Sequence, residues 1–294
     1  MIIKAFTKVA IFFVYLISLL PFWVLYLFSD AVFILLFYVT HYRRKVAQEN
    51  LRNAFPEKSQ TERAQIERKY YRYLADLLVE SVKLFSISSA DLQKHIQMID
   101  AELLNKYFAD KRSVIGAVGH YGNWEMALLG LSLCIENQKL IVYKPVKNNQ
   151  IEAVIKRSRE KFGAQLIPMK ATMRTLINKQ QEQIITILAS DQTPVREETQ
   201  YFANFLNQPT AVFLGVEKMA KLTNSAVVFC DIRLVKRGYY TCTFVPLIKD
   251  PKPTAEHEIT NTHVQYLEKV IREEPAYWLW SHRRWKFKPE DIHK

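Results

Sequence analysis

A histidine and a glutamate stand five positions apart in His120-Tyr-Gly-Asn-Trp-Glu125, and the pair has the makings of a proton-transfer site. An imidazole with a carboxylate on one ring nitrogen keeps a lone pair on the other, which suits it to act as general base toward an alcohol. A turn at Gly122 would start a helix near Asn123 and put Glu125 in its first turn, where it approaches His120. The same helix start offers backbone N–H groups and a positive dipole end to a developing oxyanion. The spacing equally suits a surface histidine beside an ordinary first-turn glutamate, so its meaning depends on what surrounds it.

The surroundings read as an α/β domain. Short apolar runs of strand type occur at 114–118, 140–143, 165–168, 184–188 and 226–232, with helical stretches at 123–136, 150–162 and 171–180 between the first few. Such alternation predicts a mostly parallel sheet flanked by helices. His120 falls just past the first of these strands, at the carboxyl end where ligands of open α/β sheets collect. Residues 227–235 and 239–245 flank Lys236-Arg237-Gly238 and predict a late antiparallel hairpin, followed by helix over 254–272. Residues 46–110 read as helical, with apolar side chains at three- and four-residue spacing from Ile66 to Phe85 and a cap near Ser89.

Ahead of this domain, residues 9–28 carry no charge. Roughly 20 apolar residues suffice for a helix to cross a bilayer. The run is too long for a signal peptide and lacks a small-residue cleavage site. It predicts a retained membrane anchor over 1–45 and one α/β domain over 46–294. Pro21 either kinks one span or marks the turn of a shallow hairpin. Arg43, Arg44 and Lys45 fit a cytoplasmic flank, and Lys4 and Lys8 pull the other end to the same side.

Composition narrows the function classes. With 41 Lys and Arg against 29 Asp and Glu, the 294-residue chain carries a formal charge of +12, which favours an acidic membrane surface, a phosphorylated substrate or an acidic protein. Cys134, Cys230 and Cys242 lie far apart without metal-ligand spacing, so reduced thiols are expected and structural zinc is not. No glycine-rich nucleotide loop occurs. The basic, aromatic stretch from His282 to Lys286 suits anionic headgroups better than nucleic acid in an anchored chain, and Trp278, Trp280 and Trp285 suit core packing.

The block from His120 to Glu125 resembles the His-x4-acid motif of glycerolipid acyltransferases, in the form carried by the lipid A biosynthesis (late) acyltransferase family. The similarity continues in order through Tyr143-Lys-Pro145 with Asn148, Arg157-x-Arg159 before Phe162-Gly163, Asp191-Gln192, Phe205-Leu-Asn207 with a helix over 209–220, and Trp280-x-His-Arg-Arg-Trp-Lys286. The resemblance implies a glycerolipid-acyltransferase-like fold. It implies His120 as general base with Glu125 as its orienting carboxylate, and Arg159, Asp191, Asn123 and Gln192 as substrate-binding residues. A guanidinium at 159 suits a phosphate or a carrier's phosphopantetheine, and Asp191 suits acceptor positioning or support of the site. No metal or organic cofactor is implied. The expected partners are an acyl carrier protein as thioester donor, a lipid A precursor or related phosphorylated lipid as acceptor, and the cytoplasmic face of the inner membrane. The stretch after Gln192 lacks the glycine-rich continuation of some members, so other acceptors stay open: an amino-acid lipid, a glycolipid or a lysophospholipid. A membrane-surface protein that binds lipid without catalysis would share the anchor and the basic surface, and would not need His120.

Overall fold

The structure, a computed structural model, describes residues 2–291. Met1, the tail at 292–294 and the side chain of Lys4 lie outside the described residues. Eleven helices and nine strands follow one another among them. The amino-terminal half runs α1 Ile2–Ser18, α2 Phe22–Ile34, α3 Arg44–Ala54, α4 Gln60–Lys83, α5 Ser89–His95, β1 Ile96–Ile99, α6 Glu102–Ala109, β2 Val114–Val118 and α7 Trp124–Cys134. It continues through β3 Gln138–Tyr143, α8 Asn149–Arg159, β4 Ala164–Pro168, α9 Thr172–Asn178 and β5 Ile184–Ala189. The last part comprises β6 Phe202–Phe205, β7 Gln208–Ala211, α10 Gly215–Thr223, β8 Ala226–Lys236, β9 Tyr239–Ile248 and α11 Glu258–Glu273.

Seven strands form one sheet in the order β1-β9-β8-β2-β5-β3-β4. The strands from β8 to β4 are parallel; β9 returns antiparallel to β8, and β1 runs alongside β9. This is the expected mostly parallel α/β sheet. Its central strand β2, Val-Ile-Gly-Ala-Val, is buried throughout, as a strand covered on both faces must be. Val114 and Val118 face the layer containing α7, whereas Ile115 and Ala117 face the layer built from α4, α10, α11 and the carboxyl-terminal tryptophans.

Three expectations need correction. Helix was expected throughout 46–110, but residues 96–99 form edge strand β1, because Ile96-Gln-Met-Ile supplies a short strand that β9 pairs in register. Residues 208–211 belong to the small β6–β7 hairpin rather than to a helix over 209–220. Pro209 has no N–H to give a helix interior, and the chain turns helical at Gly215. The cap near Ser89 is Ser88, whose hydroxyl accepts from the Asp91 N–H at 3.1 Å.

The apolar run at 9–28 is two helices, not one. α1 stops at Ser18, Pro21 sits at the N-cap of α2, and Lys83 Nζ donates to the freed carbonyls of Ser18 (3.1 Å) and Leu20 (2.9 Å). α2 continues through a π turn at Leu35–Val39. The stretch Phe22–Val39 is long and apolar enough to cross a membrane. One side of it packs on α4 through Leu25, Ser29 and Phe33, with polar ties from Ser29 Oγ to Asp76 (2.5 Å) and from Tyr26 Oη to Glu80 (2.9 Å). Its other side, with Trp23, Leu27, Phe28 and Ile34, is exposed, as are Phe6, Phe12, Phe13 and Leu16 of α1.

Candidate active site

The turn between β2 and α7 is fixed from several sides. Gly122 has φ +58°, and a Cβ there would meet Ile232 Cγ2 at 2.7 Å, so both the backbone region and the space demand glycine. Its N–H donates to Tyr277 O (3.0 Å), and its carbonyl accepts from Tyr73 Oη (2.6 Å). Asn123 caps α7, its side-chain oxygen accepting from the Met126 N–H at 2.9 Å. The Asn123 amide donates to Glu80 Oε2 at 2.7 Å. Asn123 is fully buried, and both ends of its side chain are spent on the helix start.

Glu80 is the anchor of this arrangement. It lies wholly within the protein and accepts from Asn123, Tyr240 Oη (2.7 Å) and Tyr26 Oη. Burial pushes its carboxyl up to about 7, against the opposing effect of those donors. No motif marks it. It falls on the inward stripe of α4, where the sequence shows a glutamate among apolar neighbours.

His120 leads into the turn, and the structure places Asp191 rather than Glu125 on its ring. His120 Nδ1 lies 2.6 Å from Asp191 Oδ1, while the His120 backbone N–H donates to Oδ2 at 2.7 Å. Trp278 Nε1 donates to the same Oδ2 at 2.9 Å. Asp191 stands just beyond β5, the neighbour of β2, so the carboxyl ends of two adjacent parallel strands bring acid and imidazole together. A carboxylate five positions away in sequence was the more visible candidate; this one is 71 positions away and is found through the sheet.

The electrostatics agree with an ionised carboxylate against the ring. Burial would raise the Asp191 carboxyl, but the His120 charge and the donors around it hold it down at about 2. Burial lowers the His120 imidazole, and the Asp191 charge and hydrogen bond, helped by Glu125, outweigh this and raise it above its ordinary value. With Nδ1–H given to Asp191, the lone pair is left on Nε2, which accepts from the Gln192 amide at 3.2 Å. Trp124 stands edge-on to the imidazole with ring centres 4.9 Å apart.

Glu125 faces Arg159 instead. Arg159 Nε donates to Oε2 at 2.8 Å and Nη2 to Oε1, forming a two-pronged pair, and Trp124 Nε1 adds a contact at 3.2 Å. Arg159 ends α8, whose start is organised by the other blocks singled out in the sequence. Asn148 is the N-cap, accepting from the Gln150 and Ile151 N–H groups, and Tyr143 Oη donates to Glu152 in the first turn. Arg157 points to solvent. Thus His120, Asp191, Gln192, Glu125 and Arg159 form one cluster; Asn123 supports it from beneath.

The basic carboxyl-terminal stretch is divided. Trp278 and Trp280 are buried as expected. Arg284, read as surface charge, is only 2% exposed and lies with Ser190, Asp191 and His263 behind the site; Arg283 and Lys286 are exposed. His282 Nε2 accepts from the Thr193 N–H at 3.2 Å, and burial with the Arg284 charge lowers its imidazole to about 4. Among the described residues, no group of His, Cys, Asp and Glu side chains has an arrangement that could hold a metal ion.

A lipid A biosynthesis palmitoleoyltransferase of Escherichia coli K12 is 23% identical over 249 residues, covering 84% of this chain and 80% of its own. A lipid A biosynthesis lauroyltransferase of the same organism is 22% identical over 252 residues, with 85% and 81% covered. A lipid A biosynthesis acyltransferase of Haemophilus influenzae is 22% identical over 275 residues, with 92% and 84% covered. The family model for bacterial lipid A biosynthesis acyltransferases matches residues 1–287. With that match spanning α1 and α2, the sheet and the whole cluster around His120, the chain belongs to the bacterial lipid A biosynthesis acyltransferase family and is an acyltransferase.

Proposed function

We propose that the protein transfers a fatty acyl group from an acyl-carrier-protein thioester to a hydroxyl of a lipid A precursor, with His120 as general base. The observation that carries this reading is the His120 ring itself: Nδ1 is committed to Asp191 and Nε2 retains its lone pair beside Gln192. The acceptor hydroxyl gives its proton to Nε2 as its oxygen attacks the thioester carbonyl carbon. Asp191 stabilises the imidazolium, and Arg159, aimed by Glu125, stabilises the tetrahedral oxyanion or the donor's phosphate. The intermediate then breaks its carbon–sulfur bond, and the departing thiolate takes the proton from His120. An ester and a free carrier thiol result, with no acyl-enzyme.

The relatives' names support lipid A as the product. The net charge of +12 suits both an acidic carrier and a phosphorylated acceptor. α1 and the free face of α2 support seating at a membrane. Because Tyr26, Ser29 and Asp30 tie α2 to the protein body, we place these helices in the interface of the inner membrane on its cytoplasmic side, apolar face down. Three cysteine thiols suit that reducing side.

The test supplies purified protein with dodecanoyl-carrier thioester and, in separate reactions, a lipid A precursor, a lysophospholipid or an amino-acid lipid. Free thiol and product mass are followed. The reading expects stoichiometric thiol release and a new ester on the lipid A precursor. Acylation of one of the other lipids alone would overturn the acceptor, and no acylation of any would overturn the chemistry.

A further inference from the structure

The carboxylate that grips His120 also forms one wall of a small hollow that His120 does not line. Arg284 forms another wall, with Ser190 and His263, between the apolar side chains of Phe205 and Leu267. The free room is about 10 Å³, no more than a single water-sized sphere. The backbone holds the two charges in register: Thr193, two positions beyond Asp191, donates its hydroxyl to the Arg284 carbonyl at 2.8 Å. Arg284 is 2% exposed, and its Nε and Nη1 have no hydrogen-bond partner among the described residues. Taking a guanidinium out of water is costly unless an opposite charge compensates it. Burial lowers its pKa to about 10, with the Asp191 charge opposing that fall, so it stays a cation at neutral pH.

We propose that Arg284 is a positioning residue for the base: its buried charge faces Asp191 across the hollow and offsets the pull of that carboxylate on the His120 proton, so that the imidazole can release it at neutral pH. The inference rests on the reading of His120 as general base. An ionised carboxylate against a histidine ring favours the imidazolium, and an imidazole kept protonated cannot take a proton from an alcohol. The groups around the ring are of both signs. Asp191 and Glu125 favour the imidazolium, and Arg159 opposes it. His282 and His263 are lowered to about 4, chiefly by burial, and are neutral at pH 7. Arg284 is a second cation, set on Asp191 itself. The hollow has no room for the bulk water that would screen this pair, so its charge is felt strongly. An arginine placed for geometry has its planar fork filled, as Glu125 fills that of Arg159. Arg284 leaves two nitrogens open and acts through its charge.

The experiment compares the full-length parent with Arg284→Met, Arg284→Gln and Arg284→Lys, each checked for folding by thermal unfolding. Two readouts are taken: the pH profile of kcat/KM for dodecanoyl-carrier thioester with lipid A precursor, and the His120 titration by NMR of histidine-labelled protein, its signal assigned with His120→Ala. Met and Gln both remove the charge, and both are expected to move the acidic limb and the NMR midpoint up by about one pH unit. The neutral fraction below the midpoint then falls about tenfold, and the deficit in kcat/KM narrows as pH rises through the limb. Lys keeps the charge and should return both readouts most of the way to the parent. Replacing a buried charge by an apolar side chain of similar length is often tolerated, and either folded charge-removing variant suffices. A midpoint that stays in place or moves down overturns the proposal, as does a loss of rate that is uniform across pH. A shift with Met but not with Gln overturns it too, since the charge would then not be the cause. Absence of transfer by the parent overturns His120 as base, whereas the NMR midpoint still decides whether Arg284 acts on the ring.

Discussion

Asp191 governs the chemistry of His120 at the scale of single residues. Its charge and hydrogen bond are what lift the imidazole above its ordinary value against the effect of burial. On the proposed mechanism the base works when neutral, so kcat/KM should rise with pH through a His120 pKa that lies above its ordinary value. Asp191→Asn leaves burial unopposed by that charge; the limb should move to lower pH while kcat falls about 10²- to 10⁴-fold. A pH–rate profile of both proteins checks this, and an unmoved limb would remove Asp191 from the ring. Glu125→Gln acts elsewhere, since Glu125 is gripped by Arg159. It should move the acidic limb to lower pH by less than Asp191→Asn does, because the Glu125 charge is the smaller contribution, and lower kcat/KM through a loosened guanidinium. The sequence made the histidine, the arginine and both acids visible, through type and order of blocks. Which acid meets the ring was not legible, because the β2–β5 pairing that decides it lies outside any local spacing.

At the scale of elements, the β2–α7 turn depends on Glu80. Folding holds its carboxyl at about 7 instead of the usual 4.5, chiefly by burial. A carboxyl whose folded pKa is raised stays protonated in the fold after the unfolded chain has ionised. Stability is therefore lost as pH rises from about 4.5 through about 7, by on the order of 3 kcal/mol for this group. Urea unfolding of the parent and Glu80→Gln at pH 5 and pH 8 should show the difference between them moving by that order against the parent at high pH. A constant difference would mean that Glu80 is not held neutral. Asn123→Ala should cost about 1–2 kcal/mol as a lost cap, and more because Glu80 also loses its amide donor. Core strands and most helices were legible from apolar rhythm. β1, the β6–β7 hairpin and the Glu80 hub were not, because a four-residue edge strand and one inward polar residue on a long helix leave little periodic signal.

For the whole molecule, the exposed apolar side chains of α1 and α2 and the basic surface must face the same boundary. Trp23 is 68% exposed and Leu27 62%, on a helix whose opposite side is tied to α4. Trp23→Asp with Leu27→Asp should reduce co-sedimentation with anionic phospholipid vesicles by tenfold or more, since both side chains lose apolar burial and gain a charge. The fold should persist, because neither residue is buried in the protein. Unchanged vesicle binding would mean that this face does not seat in lipid. The sequence announced the apolar run plainly. Its division at Pro21 into two helices, one strapped to the body, follows from Lys83 and Asp76 on a distant helix.

The proposed mechanism requires a single imidazole, His120, that is neutral, aimed and within reach of a lipid hydroxyl. Single-turnover transfer from dodecanoyl-carrier thioester to lipid A precursor by His120→Ala, beside the parent and with folding verified by thermal unfolding, measures that directly. A rate at least 10²-fold below the parent, with the melting transition retained, is the predicted result. Equal rates within threefold in a folded protein would contradict His120 as the base.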